Sequence, residues 1–199
     1  MMNRKEFFEN VAKKWEQEDN SSEANRKLPE LVERFGLQPG DKVLDAGCGS
    51  GRLVPYLLQA VGETGLVVAV DFASPMIDIA RRKYQTPNLI FLLADVMEMP
   101  LADNFFDRII CLALFPHLPE KTRALKEFYR LLKPNGHLFI AHTSGREEIN
   151  DFHARLDYPL CEDFLLEEEQ MRWLILSANF EILEFVDDSN VYLVIGRKK

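Results

Sequence analysis

Five short apolar runs constrain this chain most: Lys42 to Ala46, Leu66 to Val70, Leu89 to Ala94, Arg108 to Ala113 and Gly136 to His142. They are rich in Val, Ile, Leu and Phe and scarcely alternate with polar residues, the pattern of strands buried on both faces. Their starts lie about 20 to 30 residues apart, which leaves room for a crossover helix each time and so implies a parallel sheet. The linking segments carry helix signals. Ser74-Pro75 places a capping residue beside a first-turn proline, then comes the apolar face of Met76, Ile77, Ile79 and Ala80, and then the basic run Arg81, Arg82, Lys83. Pro119 to Leu132 repeats the pattern with Leu125, Phe128, Leu131 and Leu132, and Lys133-Pro134-Asn135-Gly136 is read as a turn into the fifth strand.

Beyond residue 143 the pattern changes. Glu167 to Ala178 is expected to be helical, with Asn179 as its left-handed terminator. Two further strands follow, Phe180 to Val186 and Asn190 to Gly196, with only Asp187, Asp188 and Ser189 between them. A link that short forces an antiparallel pair. The expected fold is therefore α/β, a doubly wound, mostly parallel sheet closed by an antiparallel hairpin. A length of 199 residues corresponds to one domain, with residues 1–28 and 144–166 left over as N-terminal and sheet-edge additions. In such sheets ligands bind at the carboxyl ends of the strands, so both additions are candidate lids.

The net charge of −8 argues against nucleic acid as the main partner, since phosphate binding needs a basic surface. No apolar run approaches the roughly 20 residues of a membrane span. The charged start, Met1 to Asn10, lacks the apolar core of a secretory signal, and Cys48, Cys111 and Cys161 form no C-x-x-C pair, so a reducing cytoplasm is expected.

The richest segment is Val43-Leu44-Asp45-Ala46-Gly47-Cys48-Gly49-Ser50-Gly51. A strand runs through an acid into alternate glycines, with a helix expected to begin near Gly51. Such a turn lets a ligand approach the backbone. A dinucleotide fingerprint would need a third glycine at position 52, where the chain has Arg52. An aspartate beside the loop suits a ligand carrying positive charge. Asp71 closes the second strand, where it can accept from a ribose diol, and Asp95 closes the third, beside Val96.

These residues, together with Val68 to Met76, Ala94-Asp95-Val96, Phe105 to Ile110 and Leu131 to Leu138, resemble the class I S-adenosylmethionine-dependent methyltransferases over roughly residues 28 to 143. The resemblance implies a Rossmann-like seven-stranded sheet whose last strand is antiparallel, and S-adenosylmethionine as cofactor. It further implies that Gly47, Cys48, Gly49 and Gly51, with Asp45, lie near the methionyl part. Asp71 would hold the ribose, Phe72 and Met76 would flank the adenine, Asp95 and Val96 would meet its amine edge, and backbone at Cys111 and Leu112 would meet the methionyl amine. The expected activity is methyl transfer to a small-molecule acceptor. A noncatalytic cofactor-binding sensor or partner subunit is the alternative, and oligomeric state stays open.

Methyl transfer asks little chemistry of the protein beyond positioning, and a general base only where the acceptor arrives protonated. His117, just past the fourth strand, and His142, ending the fifth, are the candidate catalytic residues. Ser144 is a candidate helix cap, and Arg146, Asn150 and His153 would share one face that could grip an acceptor. No metal is expected, because the long spacings of His142, His153 and Cys161 match no ligand pattern. Phe7, Phe8, Val11 and Trp15 fall on one face of an N-terminal helix, suited to packing or to a lid over a planar ligand.

Overall fold

A computed structural model describes residues 4–21 and 24–199; within them the side chains of residue 13 and of residues 15–21 and 24, Trp15 included, lie outside the described set. The strands form one seven-stranded sheet in the order β3-β2-β1-β4-β5-β7-β6, with β1 at Lys42–Ala46, β2 at Leu66–Asp71, β3 at Leu89–Leu93, β4 at Phe106–Leu112, β5 at Leu132–His142, β6 at Phe180–Asp187 and β7 at Tyr192–Lys198. The described residues fall into two compact units divided between Val96 and Met97.

In the first unit, β2 pairs in parallel with β1 on one side and β3 on the other. Val67, Val68, Ala69 and Val70 of β2 are all buried, as a continuous apolar run requires. The helices are α1 (Arg4–Ser21), α2 (Ala24–Arg34), α3 (Val54–Val61) and α4 (Ser74–Lys83). Leu28, Leu31 and Phe35 bury one stripe at three- and four-residue spacing along and just beyond α2. Two local expectations are corrected. The helix after the glycines starts at Val54, because Gly51 takes φ +86° and cannot sit in a right-handed turn. The residue preceding α4 is Ala73, with Ser74 already helical and making no capping bond, so proline and not serine sets that start.

In the second unit, β4 and β5 are parallel, and β7 runs antiparallel to both β5 and β6. The antiparallel member is thus the last strand in sequence. The crossover helix α5 spans Lys121–Leu131. Residues 133–136 do not separate helix from strand as a turn. They form an irregularity inside β5, whose pairing jumps from Phe106↔Leu132 to Arg108↔His137, with Asn135 at φ +64°. Helices α6 (Arg146–His153) and α7 (Glu168–Ser177) complete the unit, and Asn179, at φ +67°, follows α7 as the sequence indicates. Ser144 does not cap α6: Gly145 precedes the helix, and Asp187 Oδ1 at the end of β6 accepts from the Arg146 N–H at 3.2 Å. The position admits only glycine, since an added Cβ would lie 1.9 Å from the Asp188 carbonyl oxygen.

One buried cation ties β7 into this unit. The Lys198 ammonium, on a side chain 8% exposed, donates to Asn104 Oδ1 (2.8 Å), the Tyr129 carbonyl (2.7 Å) and the Leu132 carbonyl (2.9 Å), and lies over the Tyr129 ring. Burial lowers its pKa, while these three acceptors and the ring favour the charged form. Lys198→Met keeps the stem and strands three acceptors, so it is expected to cost about 2 to 4 kcal/mol in urea unfolding. A loss below about 0.5 kcal/mol would show that the ammonium is not holding the strand.

Candidate active site

The glycine turn is fixed by backbone bonds that only its unusual dihedrals allow. Gly47, Gly49 and Gly51 all have positive φ, at 73°, 53° and 86°. With that geometry the N–H groups of Gly47 and Cys48 both donate to the Val70 carbonyl, at 2.8 and 2.9 Å, which pins the turn to the end of β2. The Asp71 carboxylate completes the link: Oδ2 accepts from the Gly49 N–H at 2.9 Å and Oδ1 from the Ala73 N–H at 2.8 Å. Asp71, expected to hold a ribose, therefore also braces the loop. At Gly51 an added Cβ would crowd the Tyr84 ring, 3.0 Å from its Cε2, whereas the space beside Gly49 is open. Cys48 packs with Val54, Ala69 and Ile77, and burial raises its thiol pKa, so it is an inert loop residue.

Asp45 lies in β1 behind this turn and is only 2% exposed. Its Oδ2 has no hydrogen-bond partner among the described residues. Burial first, and the Asp71 charge second, push its pKa from an ordinary 3.8 up to about 7, against a smaller opposing pull from Arg52. Burial likewise raises Asp71, held back by its backbone N–H donors. A buried carboxylate with an unsatisfied oxygen is costly unless a donor or cation completes it.

Nearby, Phe72 is half-buried and meets the ring of Phe8 edge-on, centroids 5.6 Å apart. Phe8 in turn meets Phe7, so the N-terminal helix packs one aromatic ring against Phe72. Met76, in the first turn of α4, and Val96 are buried, and Asp95 is exposed two residues past β3.

In the second unit Cys111 and Leu112 end β4, both buried. His117 closes the short 3₁₀ turn that follows, and its Nδ1 lies 2.7 Å from Asp163 Oδ2. The His153 ring lies 5.0 Å from that of His117, and its Nδ1 pairs with the Asp163 carbonyl oxygen. Burial lowers the pKa of His153, against the pull of the Asp163 carbonyl that it meets. His142 ends β5 buried, edge-on to Tyr192. The three residues expected to share a gripping face are instead engaged within the protein. Arg146 pairs with Asp187 at 2.8 Å, Asn150 clamps both backbone groups of Leu165, and His153 holds Asp163. Among the described residues no cluster of three His, Cys, Asp or Glu side chains could hold a metal. Asp163 is the residue that sequence reasoning missed. It lies 46 positions from its partner, and no spacing rule connects them.

A family model described as a methyltransferase domain matches residues 44–140, from β1 to β5. A methyltransferase named GfsG from Streptomyces halstedii is 31% identical over 180 residues, covering 86% of this chain and 64% of that protein. A demethylmenaquinone methyltransferase from Staphylococcus aureus is 34% identical over 141 residues, 69% of this chain and 58% of that one. The chain thus spans less than two thirds of these relatives' length. A solved S-adenosylmethionine-dependent methyltransferase from Aquifex aeolicus superposes with a TM-score of 0.79 at 27% identity, over 96% of this chain and 98% of that one.

This chain is similar to the class I S-adenosylmethionine-dependent methyltransferases from β1 to β5 in sequence and along nearly its whole length in fold. The cofactor that goes with that family is S-adenosylmethionine, and the residues present fit it. The open space at Gly49 leaves backbone accessible, and the unsatisfied buried oxygen of Asp45 suits a ligand carrying positive charge.

In the protein without ligand, Asp45 sets a pH dependence whose sign follows from its raised pKa. Its contribution to stability is complete below about pH 3.8 and is lost as pH rises through about 7. Asp45→Asn removes the titrating group. Thermal unfolding of both proteins from pH 4 to 8 should therefore show the variant gaining on the wild type as pH rises, by up to about 4 kcal/mol. Parallel stability curves would contradict the assignment.

Proposed function

We propose that this chain transfers the methyl group of S-adenosylmethionine to a small-molecule acceptor in the cytoplasm and releases S-adenosylhomocysteine. The observation that carries this reading is the Asp45 carboxylate, buried behind a glycine turn with one oxygen unsatisfied. When bound, the cofactor supplies an electrophilic methyl carbon on a positively charged sulfur, which keeps the electron pair of the broken bond. The chain's own residues bind and orient. Asp45 offers a carboxylate to the cofactor's positive charge, and Gly47, Cys48, Gly49 and Gly51 present backbone at close range. Asp71 offers its remaining lone pairs to the ribose hydroxyls while bracing the loop. Phe72 and Met76 cover the adenine, Val96 closes its edge, and Asp95 accepts from its amine. The Phe8 ring, set against Phe72, helps to exclude water there.

On the acceptor side we assign the active role to His117 over His142. His117 pairs through one ring nitrogen with the buried Asp163 carboxylate just past the carboxyl end of β4. Two features favour a small acceptor over RNA: the net charge of −8, and the relative named for demethylmenaquinone. No helix among the described residues is long and apolar enough to cross a membrane.

Two measurements test the proposal. Purified protein incubated with methyl-labelled S-adenosylmethionine and a cell extract should place label in the small-molecule fraction. Label in RNA, or in nothing, would overturn it. In calorimetric titration with S-adenosylhomocysteine, Asp71→Ala should bind at least about tenfold more weakly, since a charged acceptor is worth about 1.5 to 3 kcal/mol. Equal affinity in a folded variant would remove Asp71 from the site.

A further inference from the structure

Strand β3 ends the sheet: among the described residues it pairs with β2 on one side and with no strand on the other. The parallel register fixes which of its backbone groups face outward. The Val67 N–H donates to the Asn88 carbonyl at 2.9 Å and the Ala94 N–H to the Asp71 carbonyl at 3.1 Å, so the even-numbered residues from 88 to 94 turn toward β2. Leu89, Phe91 and Leu93 therefore direct their backbone groups away from the sheet. The Leu89 N–H is taken up locally by the Thr86 carbonyl at 3.3 Å.

The same segment has the composition that other strands join. Asn88-Leu89-Ile90-Phe91-Leu92-Leu93-Ala94 holds no charge, no proline and no glycine, the signature of segments that stack as β-structure. Ile90 is 51% and Leu93 48% exposed, and their spacing sets them on opposite faces of the strand. Antiparallel pairing with a second copy about Phe91 would set Leu89 opposite Leu93 and Ile90 opposite Leu92, apolar against apolar along the whole strand. An apolar edge of this kind is an association site unless something blunts it.

We propose that Arg81 is a gatekeeper that keeps the β3 edge from pairing with a second copy of this chain. Arg81 is exposed near the end of α4, and its Nη2 donates to the Phe91 carbonyl at 2.9 Å. That carbonyl is the central outward acceptor of β3, the group that the Phe91 N–H of a two-fold partner would need. The guanidinium stands where an incoming strand would lie, and a joining strand would have to displace it and bury charge beside its own backbone. The reach of Arg81 is set by the core beneath it: Ile77 of α4 packs in the cluster against which Leu89 and Phe91 also lie. Pro87 and Asp95 bound the apolar run at its two ends, so the side chain on α4 guards the stretch that neither of them covers. This role is independent of methyl transfer.

Sedimentation velocity over about a hundredfold range of protein concentration tests this role. Arg81→Ala should self-associate at least about tenfold more tightly than the wild type. Arg82→Ala removes an equal charge one residue along the same exposed stretch while leaving the Arg81 bond in place, and should match the wild type. Adding Ile90→Lys to Arg81→Ala puts a charge on the exposed strand itself and should restore wild-type behaviour. Amide hydrogen exchange across residues 88–94 separates pairing from unfolding. It should slow in Arg81→Ala as concentration rises, because the Phe91 and Leu93 N–H groups become bonded. Equal self-association of Arg81→Ala and the wild type, an equal effect of Arg82→Ala, association that survives Ile90→Lys, or exchange that quickens instead of slowing would overturn the proposal.

Discussion

Two hydrogen bonds to one carboxylate hold the glycine turn of the first unit in shape. Asp71 accepts from the Gly49 and Ala73 N–H groups, linking the glycine turn after β1 to the start of the chain that follows β2. Without that brace, a turn with three left-handed glycines would have every entropic reason to spread. Just before that turn, at the end of β1, Asp45 is buried. The result is an acid kept near neutrality, with an unsatisfied oxygen at the place where a cationic ligand is expected. A cost in apo stability is exchanged for a site already organised.

The second unit uses polar residues differently. Lys198, Arg146, Asn150 and His153 are each engaged with backbone or acid partners inside the protein. The segment after β5 has thereby become a support for Asp163 and, through it, for His117.

The difference in character explains what the sequence made legible. The buried strands announce themselves as apolar runs, and the glycine turn shows through spacing, because both follow local rules. Helix starts were less legible. Ser74 and Ser144 have the chemistry of caps, but Pro75 and the distant Asp187 determine those two ends. The irregularity at residues 133–136 reads as a turn in sequence, because Pro, Asn and Gly mark bulges as well as turns. Asp163 was not legible at all, since its meaning depends on a partner 46 residues away and on a carbonyl held by His153. Arg146, Asn150 and His153 were correctly placed on one helix, but whether that face served a ligand or the fold depended on tertiary contacts.

The central claim is that a buried, largely protonated Asp45 becomes a carboxylate when the cofactor's positive charge arrives, and proton counting tests it most directly. Calorimetric titration of S-adenosylmethionine at about pH 6.5, repeated in buffers of different ionisation enthalpy, yields the number of protons exchanged on binding. The account expects release of more than about half a proton by the wild type and a marked loss of that release in Asp45→Asn. Binding with no proton release, or with equal release from both proteins, would contradict it.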